Sequence, residues 1–269
     1  MTRRPHITSS ANDRLKAVRR LARRRSPSVF LVEGHRQVAR ALEARIRLDA
    51  VYAAPSLFLG ARDHELLAVA ERRGVRVVEL GAAAFRSVSS AFRPDGLLAV
   101  ARRWATSLTS LGPGDAPLLL VAEGLERPGN LGTIVRSACS AGATGVLACD
   151  TPTDVFHPEV VRGSVGTLFH LPVATCTAQQ ALPWLREHGV RIVVATPGAD
   201  RPCWDALLTG PVALVVGSER HGVSGPWLAA ADERVSIPMP GPADSLNVAV
   251  AAGIVLFEAV RQRAAGRAS

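Results

Sequence analysis

The sequence is poor in several features that define whole classes of protein. Its four cysteines form no C-x-x-C pair, and none has a histidine at metal-ligand spacing, which argues against a zinc or disulfide framework. We therefore expect reduced thiols and no metal. The amino-terminal MTRRPHITSS lacks the apolar stretch of a signal peptide, and the longest uncharged run, residues 163–185, is too polar to span a membrane. These absences predict a cytoplasmic protein.

Lysine is nearly absent, since Lys16 is the only one among 32 basic residues. With abundant Ala, Gly, Val and Pro, this bias is typical of a GC-rich genome, so arginine alone does not indicate phosphate recognition. The basic residues are nevertheless concentrated: residues 1–50 hold 13 of them against 4 acidic residues, which accounts for the net charge of +9. Within them, RLKAVRRLARRR (14–25) predicts a solvated amphipathic helix or a surface for a polyanion, nucleic acid before membrane.

The first hundred residues alternate between helix-period and short apolar segments, which predicts a small α/β domain over 1–105. Helices are expected at SSANDRLKAVRRLARRR, with a Ser or Asn cap, and at HRQVARALEARI, RDHELLAVAERRG and AAAFRSVSS. Strands are expected at VFLVEG, LDAVYAA, GVRVVELG and GLLAVARR. Residues 106–116, rich in Ser, Gly and Pro, predict a linker.

Residues 117–269 read as a second α/β domain. Buried strands are expected at PLLLVAEG, GVLAC, VRIVVATP, PVALVVGSE and RVSIPM, with helices near 130–141, 158–167, 178–188 and 246–263. Near-continuous Val, Ile and Leu runs separated by helices predict a parallel sheet covered on both faces.

Three polar loops follow strands of this second half. RPGNLGTIVRSACSAGA carries Asn130 and Arg136, VVGSERHGVS ends a strand at 217–219, and SIPMPGPADSLNVAVAAG enters a long apolar helix through 245–247. Ligands bind beyond the carboxyl ends of parallel strands, so we expect the three loops to converge on one site.

Most of these residues also have a purely structural interpretation. Asn130 suits a left-handed turn between glycines, and Ser245 and Asn247 suit a helix cap. Glu219 suits a turn cap or an ion pair with Arg220. Arg136 is harder to explain in this way, because Ile134 and Val135 beside it indicate an apolar helix face, and burying an unpaired guanidinium is costly. A functional or paired arginine is the better interpretation.

The three segments together, in this order, resemble the motifs of the SpoU branch of the SPOUT superfamily. GNLGTIVRSACSAGA, LVVGSERHGVS and SIPMPGPADSLNVAVAAGIVLFEAV correspond to the family's three motifs, and the resemblance extends from 117 to about 263. The stretches ITSSANDRLKAVRRLARRR and FLVEGHRQVARAL are similar to the family's N-terminal substrate-binding domain, which resembles an RNA-binding ribosomal protein. A small departure is Ala249, which stands where the third motif often has a serine.

This resemblance implies an RNA ribose 2′-O-methyltransferase that uses S-adenosylmethionine and no metal. It implies a homodimer and a parallel sheet whose C-terminal segment forms a trefoil knot, with a smaller N-terminal α/β domain. It also implies a cofactor pocket lined by Thr196, Gly217, Ile237 and Leu246. The polar catalytic end would comprise Asn130, Arg136, Glu219, Ser245 and Asn247.

Ribosomal RNA is favoured over transfer RNA, because of the separate N-terminal domain and a resemblance to members that confer antibiotic resistance by modifying the ribosome. A non-catalytic RNA-binding protein of this fold is expected to lose Asn130, Arg136 or the 245–247 loop, and all are present. A nicotinamide or flavin enzyme is disfavoured because the glycine-rich turn lacks the dinucleotide fingerprint. Since arginine stays protonated, we expect Arg136 to bind phosphate and stabilise an alkoxide rather than act as a base.

Overall fold

The computed structural model describes residues 4–112 and 114–266, which form two compact units. The first unit runs to Trp104 and includes a later segment, Phe156–Phe169. The second unit comprises Ala105–Val155 and the chain from His170 onward. The chain therefore enters the second unit, returns to the first for one short segment, and then completes the second.

Aromatic packing explains why the later segment belongs to the first unit. The ring centroid of Phe30 lies 4.8 Å from that of Phe156 and 6.4 Å from that of Phe169, and Trp104 meets Phe156 edge-on at 4.6 Å. Aromatic pairs at such distances are stabilised beyond the area that they bury. The sequence pattern predicts one domain over residues 117–269. It misses this exchange because a local pattern does not show contacts between distant parts of the chain.

The first unit is built on a mixed five-stranded sheet. Its strands are β1 (His6–Ile7), β2 (Val29–Glu33), β3 (Leu48–Ala53), β4 (Arg76–Leu80) and β5 (Leu97–Arg102). Its first helices are α1 (Asp13–Arg23), α2 (His35–Glu43), α3 (Ala61–Arg72) and α4 (Ala82–Arg86). The strand order is β1-β4-β3-β5-β2, with β4 parallel to β1 and β3, and β5 antiparallel to β3 and β2. The helices and strands predicted for this half are confirmed, and the two-residue β1 was not predicted.

Helix α1 shows how the basic segment is accommodated. Asn12 caps it by accepting a hydrogen bond from the backbone N–H of Arg14 at 3.0 Å, which confirms the predicted Ser or Asn cap. Leu15 and Val18 are buried, while Lys16 and Arg14 are exposed. The helix therefore packs one apolar stripe against the unit and presents basic side chains to solvent.

The second unit contains a parallel six-stranded sheet, as predicted. Its strands are β6 (Leu118–Glu123), β7 (Gly145–Cys149), β8 (Val173–Cys176), β9 (Arg191–Ala195), β10 (Val212–Val216) and β11 (Glu233–Val235). They lie in the order β11-β9-β10-β6-β7-β8, and every pairing is parallel. The remaining helices are α5 (Pro128–Ser140), α6 (Pro158–Gly163, in the first unit), α7 (Ala178–Glu187), α8 (Gly225–Ala230) and α9 (Val248–Ala265). Only the short β8 and α8 were missed in this half of the described chain.

Helices cover both faces of this sheet. Helices α7 and α8 pack on one face, and α5 and α9 pack together on the other. Cys149 and Cys176 are free thiols in register on β7 and β8, with Sγ atoms 3.3 Å apart. The neighbouring Cys176 thiol and burial raise the pKa of Cys149, so this thiol stays protonated. In the described part of the chain, no helix is long and apolar enough to cross a membrane.

Arg263, near the end of the C-terminal helix, links this helix to the chain around two strands of the sheet. Arg263 donates hydrogen bonds to the carbonyl oxygens of Ala116 at 3.0 Å, Pro117 at 3.1 Å and Leu208 at 3.3 Å. One guanidinium thereby joins α9, the start of β6 and the loop before β10. Hydrogen bonds from a charged donor are stronger than neutral ones, so this contact fixes where α9 lies.

We expect Arg263→Ala to lower the free energy of unfolding by about 2 kcal/mol, because it removes a charged donor and leaves several carbonyls unpaired. Arg261→Ala is the matched control: its guanidinium is largely exposed and pairs with Glu258 on the same helix, so its loss should matter little. Urea unfolding of both variants measures the difference. Equal losses would show that the carbonyl contacts of Arg263 do not hold the helix.

Candidate functional site

A cavity of about 240 Å³ opens at the carboxyl ends of β9 and β10. Its walls come from residues 195–197 after β9, residues 216–223 after β10, and the segment between β11 and the start of α9. The structure brings together in this cavity all four residues predicted to line a pocket, Thr196, Gly217, Ile237 and Leu246. Ser245, predicted for the polar end, also lines it.

A tight loop after β10 makes glycine necessary at position 217. The backbone N–H of Gly222 donates to the carbonyl of Ser218 at 2.9 Å, so the chain folds back on itself immediately after the strand. A Cβ atom on Gly217 would lie 2.1 Å from the carbonyl oxygen of Gly222 and 2.4 Å from the nitrogen of Val223. These neighbours are backbone atoms that cannot rotate away. The glycine thus shapes one wall of the cavity.

Three side chains from three different loops form one hydrogen-bonded cluster beside the cavity. The side-chain amide of Asn130, on the first turn of α5, donates to the carboxylate of Glu219 after β10. Its carbonyl oxygen accepts from the amide of Asn247 at 3.3 Å. The predicted convergence of the three loops is therefore seen in the structure, with Asn130 as the central member.

The structure also decides between the alternatives for these residues. Asn247 caps α9 by accepting from the backbone N–H of Ala249 at 3.0 Å, so it is both a cap and a member of the cluster. Asn130 lies inside α5 and not in a left-handed turn, so that interpretation was wrong. Within the described residues, Glu219 pairs with Asn130, and no ion pair joins it to Arg220.

Arg136 does not belong to this cluster. Six residues separate it from Asn130, which places the two side chains about 120° apart around α5. The premise that it lies on a buried face was also wrong, because the side chain is exposed while Ile134, Val135 and Ala138 are buried. The apolar residues around it in sequence occupy the adjacent, inward-facing stripe of the helix.

A buried carboxylate that was not predicted from the sequence holds the loop after β10, which forms one wall of the cavity. Glu123, at the end of β6, is only 6% exposed and accepts hydrogen bonds from the backbone N–H of Ser224 at 2.8 Å and from its hydroxyl. It thereby ties the loop after β10 to the neighbouring strand. The signal in the sequence was an acidic residue closing the apolar run PLLLVAEG.

An open groove between α5 and α9 begins at the cluster. Asn130 and Asn247 line one end, polar side chains of α5 line one wall, and small and large apolar residues of α9 line the other. Val250 and Phe257 are about half exposed, at 51% and 50%, and with Ile254 they form one apolar patch, which is a common feature of interaction sites. Among the described residues, no group of three or more His, Cys, Asp and Glu could hold a metal ion.

Comparison with known proteins gives matches over both units. Residues 117–257 match the SpoU rRNA methylase family, and residues 12–99 match the MRM3-like substrate binding domain. The 23S rRNA (guanosine-2′-O-)-methyltransferase RlmB of Ralstonia nicotianae is 34% identical over 88% of this chain and 97% of its own length. The 23S rRNA (uridine(2479)-2′-O)-methyltransferase of Streptomyces viridochromogenes is 42% identical, but the match covers 52% of this chain and 51% of that relative. This chain thus matches about half the length of the latter relative.

The fold has solved counterparts as well. The crystal structure of the SpoU methyltransferase AviRb from Streptomyces viridochromogenes, in complex with the cofactor AdoMet, matches with a TM-score of 0.86 at 29% identity. The match covers 95% of this chain and 100% of that one. The similarity therefore extends over both units and not only over the three motifs.

We expect Gly217→Ala to destabilise the protein by about 1–3 kcal/mol, because the added methyl group overlaps backbone atoms of the loop that must then shift. Gly129→Ala, on the first turn of α5, is the matched control, since a Cβ there meets nothing within 4 Å. Thermal unfolding of both variants tests this. A Gly217→Ala protein that melts with the wild type would mean that the fold-back of the loop is not rigid.

Proposed function

Because this chain belongs to the SpoU rRNA methylase family, we propose that it transfers a methyl group from S-adenosylmethionine to a ribose 2′-hydroxyl of 23S ribosomal RNA. The observation that carries this proposal is the cavity at the ends of β9 and β10 beside the cluster of Asn130, Glu219 and Asn247. Relatives that cover most of the chain are named for 23S rRNA, which favours that substrate over transfer RNA. Such a substrate places the enzyme in the cytoplasm.

The cavity suits one part of the methyl donor. At about 240 Å³ it is smaller than the ~300–1,000 Å³ of common small-molecule sites, so it suits the nucleoside part of the donor, with the rest at its open end. Ile237 and Leu246 supply apolar walls for a purine, and the backbone around Thr196 and Gly217 supplies polar groups at its edge. Glu219 contributes a carboxylate to the lining, which complements a cationic ligand. S-adenosylmethionine brings a methyl group already activated by a positively charged sulfur.

The polar cluster is suited to hold the acceptor ribose. Glu219 and Asn247 together fix the side-chain amide of Asn130, so its orientation is set before RNA binds. Ser245, exposed at the cavity, is placed to hydrogen-bond a ribose hydroxyl that enters there. In this proposal the cluster positions the 2′-oxygen, and the cavity positions the methyl donor.

Arg136 remains a proposed phosphate ligand. Its exposed guanidinium is free to bind a phosphate next to the target ribose through two parallel hydrogen bonds, which stabilises negative charge developing on the 2′-oxygen. Because Arg136 and Asn130 point in different directions from α5, one RNA strand must cross the helix to meet both.

The groove between α5 and α9 supports the proposed homodimer. Val250, Ile254 and Phe257 form an exposed apolar stripe on α9, and a second copy of the chain would bury it. The dimer would then cover the groove that begins at Asn130 and Asn247, next to the reacting groups. We expect Phe257→Glu to yield a monomer in sedimentation, while Phe92→Glu, at a 97% exposed phenylalanine of the first unit, leaves a dimer. A dimeric Phe257→Glu protein would exclude this groove as the interface.

We also propose the trefoil knot of the family for the C-terminal segment. After β11, Ser236 exchanges backbone hydrogen bonds at 2.8 Å with Arg201 and Cys203 in the loop between β9 and β10. Further on, Gln262 of α9 donates to the carbonyl of Ala206 in the same loop at 2.9 Å. The chain on either side of the cavity is thus bound to one loop, as a thread passing through that loop would be.

The function is tested by incubating the purified protein with S-adenosylmethionine and 23S ribosomal RNA and mapping ribose methylation. We expect one methylated position, and we expect Arg136→Ala to slow single-turnover transfer about 10²–10³-fold while melting and cofactor binding stay near wild type. Arg136→Lys should recover little, because a point charge does not reproduce a planar two-donor fork.

Arg261→Ala, which removes an equally exposed charge at the far end of α9, is the control and should transfer methyl groups at the wild-type rate. Methylation of transfer RNA alone would overturn the choice of substrate, and no transfer to either RNA would overturn the function. A folded Arg136→Ala protein with a normal single-turnover rate would remove this residue from the mechanism.

A further inference from the structure

One end of the five-stranded sheet in the first unit carries two adjoining concavities, of about 610 and 500 Å³, which share residues 45–47. The lining of the first is completed by Ser28, Arg102, Arg103 and Trp104, and that of the second by Leu42, Leu48, Arg73, Gly74 and Val75. Neither lining contains an acidic residue. We call the surface formed by Arg45, Arg47, Arg73, Arg102 and Arg103 the arginine groove.

The backbone at Arg45 is the unusual feature of this groove. Helix α2 ends in a Schellman motif, in which Arg45 N–H donates to the carbonyl of Leu42 and Ile46 N–H to that of Ala41, both at 2.9 Å. The motif requires a left-handed residue, and Arg45 has a φ of 56°. A residue with a side chain is strained there by about 1–2 kcal/mol, and glycine is the usual occupant.

Three other helices of this protein carry glycine at this position. The next helix, α3, ends in the same motif with Gly74 at a φ of 75°. Helices α5 and α7 end in the same way, with Gly142 and Gly189 in the left-handed position. Helix α6 ends in the same motif with Val165 at a φ of 52°, so α2 and α6 are the two of these five helix ends that carry a side chain in the left-handed position, and in α2 it is arginine. Since glycine and arginine codons are both GC-rich, base composition does not explain the choice.

The guanidinium groups at the centre of the groove are free, while those around them are held in place. Arg45 and Arg47 are exposed, and within the described residues no side-chain hydrogen bond or ion pair involves either of them. Arg102 pairs with Asp49 at 2.8 Å, and Arg73 donates to the carbonyl of Leu42. Arg45 thus presents an unpaired cation from a strained backbone, and strain of this kind is often found at binding sites.

We propose that the arginine groove binds the phosphate backbone of the RNA substrate, with Arg45 and Arg47 as its central ligands; this rests on the proposed function. A guanidinium binds phosphate oxygens through paired hydrogen bonds, and phosphate contacts position an RNA without reading its sequence. The exposed basic face of α1 adds long-range attraction, but it is a regular solvated helix. The groove, in contrast, is both positively charged and concave, and its central residue Arg45 has a strained backbone.

Arg45→Gly tests this assignment, because it removes the cation and installs the residue that the backbone prefers. We expect a melting temperature no lower than wild type, unchanged S-adenosylmethionine affinity and a higher KM for RNA. Losing one phosphate contact should lower the salt slope of RNA binding by about 0.7, which is roughly a fourfold loss of affinity at 0.15 M salt. Adding Arg47→Ala should bring the loss to more than about tenfold.

Arg20→Ala is the matched control, because it removes an equally exposed charge from α1. Its loss of affinity for 23S ribosomal RNA should be clearly smaller than that of Arg45→Gly. Equal losses in the two variants, or wild-type RNA affinity and salt slope in Arg45→Gly, would overturn the groove. So would an Arg45→Gly protein that keeps its RNA affinity but loses binding to phosphatidylglycerol vesicles. Failure of the wild type to methylate RNA would instead overturn the proposed function, so the two failures are distinguishable.

Discussion

The arrangement of the loops at the candidate functional site depends on the side-chain amide of one asparagine. Asn130 donates to Glu219 and accepts from Asn247, so the loops that follow β6, β10 and β11 are joined by two hydrogen bonds. Parallel strands bring these loops to the same edge of the sheet, but they do not fix how the loops meet. The amide of Asn130 does so, because its donor end bonds to one loop and its acceptor end bonds to the other. The shape of the adjacent cavity depends on these two hydrogen bonds and on the tight loop that begins at Gly217.

The contacts that support the site join residues far apart in the chain. Glu123 holds the loop after β10 to the end of β6, and Arg263 holds the last helix to the start of that same strand. Strand β6 is thus anchored at both ends to elements that line the cavity or carry its groups. The hydrogen bonds of the sheet end at the strand termini, so they do not hold the loops beyond them. The charged groups of Glu123 and Arg263 bond to the backbone there and hold it in place.

The two units use arginine in different ways. In the second unit, Arg263 donates hydrogen bonds to backbone carbonyls, whereas Arg136 is exposed on α5. In the first unit, Arg45 occupies a left-handed position that glycine fills at the ends of α3, α5 and α7. Some of the many arginines therefore hold the fold together, some are solvated, and Arg45 has a strained backbone, and composition does not distinguish these cases. Their surroundings separate them.

Periodicity alone determined most of the helices and strands, the parallel sheet and the convergence of three loops, because these follow from local patterns of apolar residues. Motif order determined the family and the members of the cluster Asn130, Glu219 and Asn247. Only the tertiary structure placed Phe156–Phe169 in the first unit, showed that Arg136 is exposed and revealed the supporting role of Glu123. Each of these depends on packing between residues far apart in the chain or on the exact rotation of a helix, and neither leaves a periodic trace in the sequence.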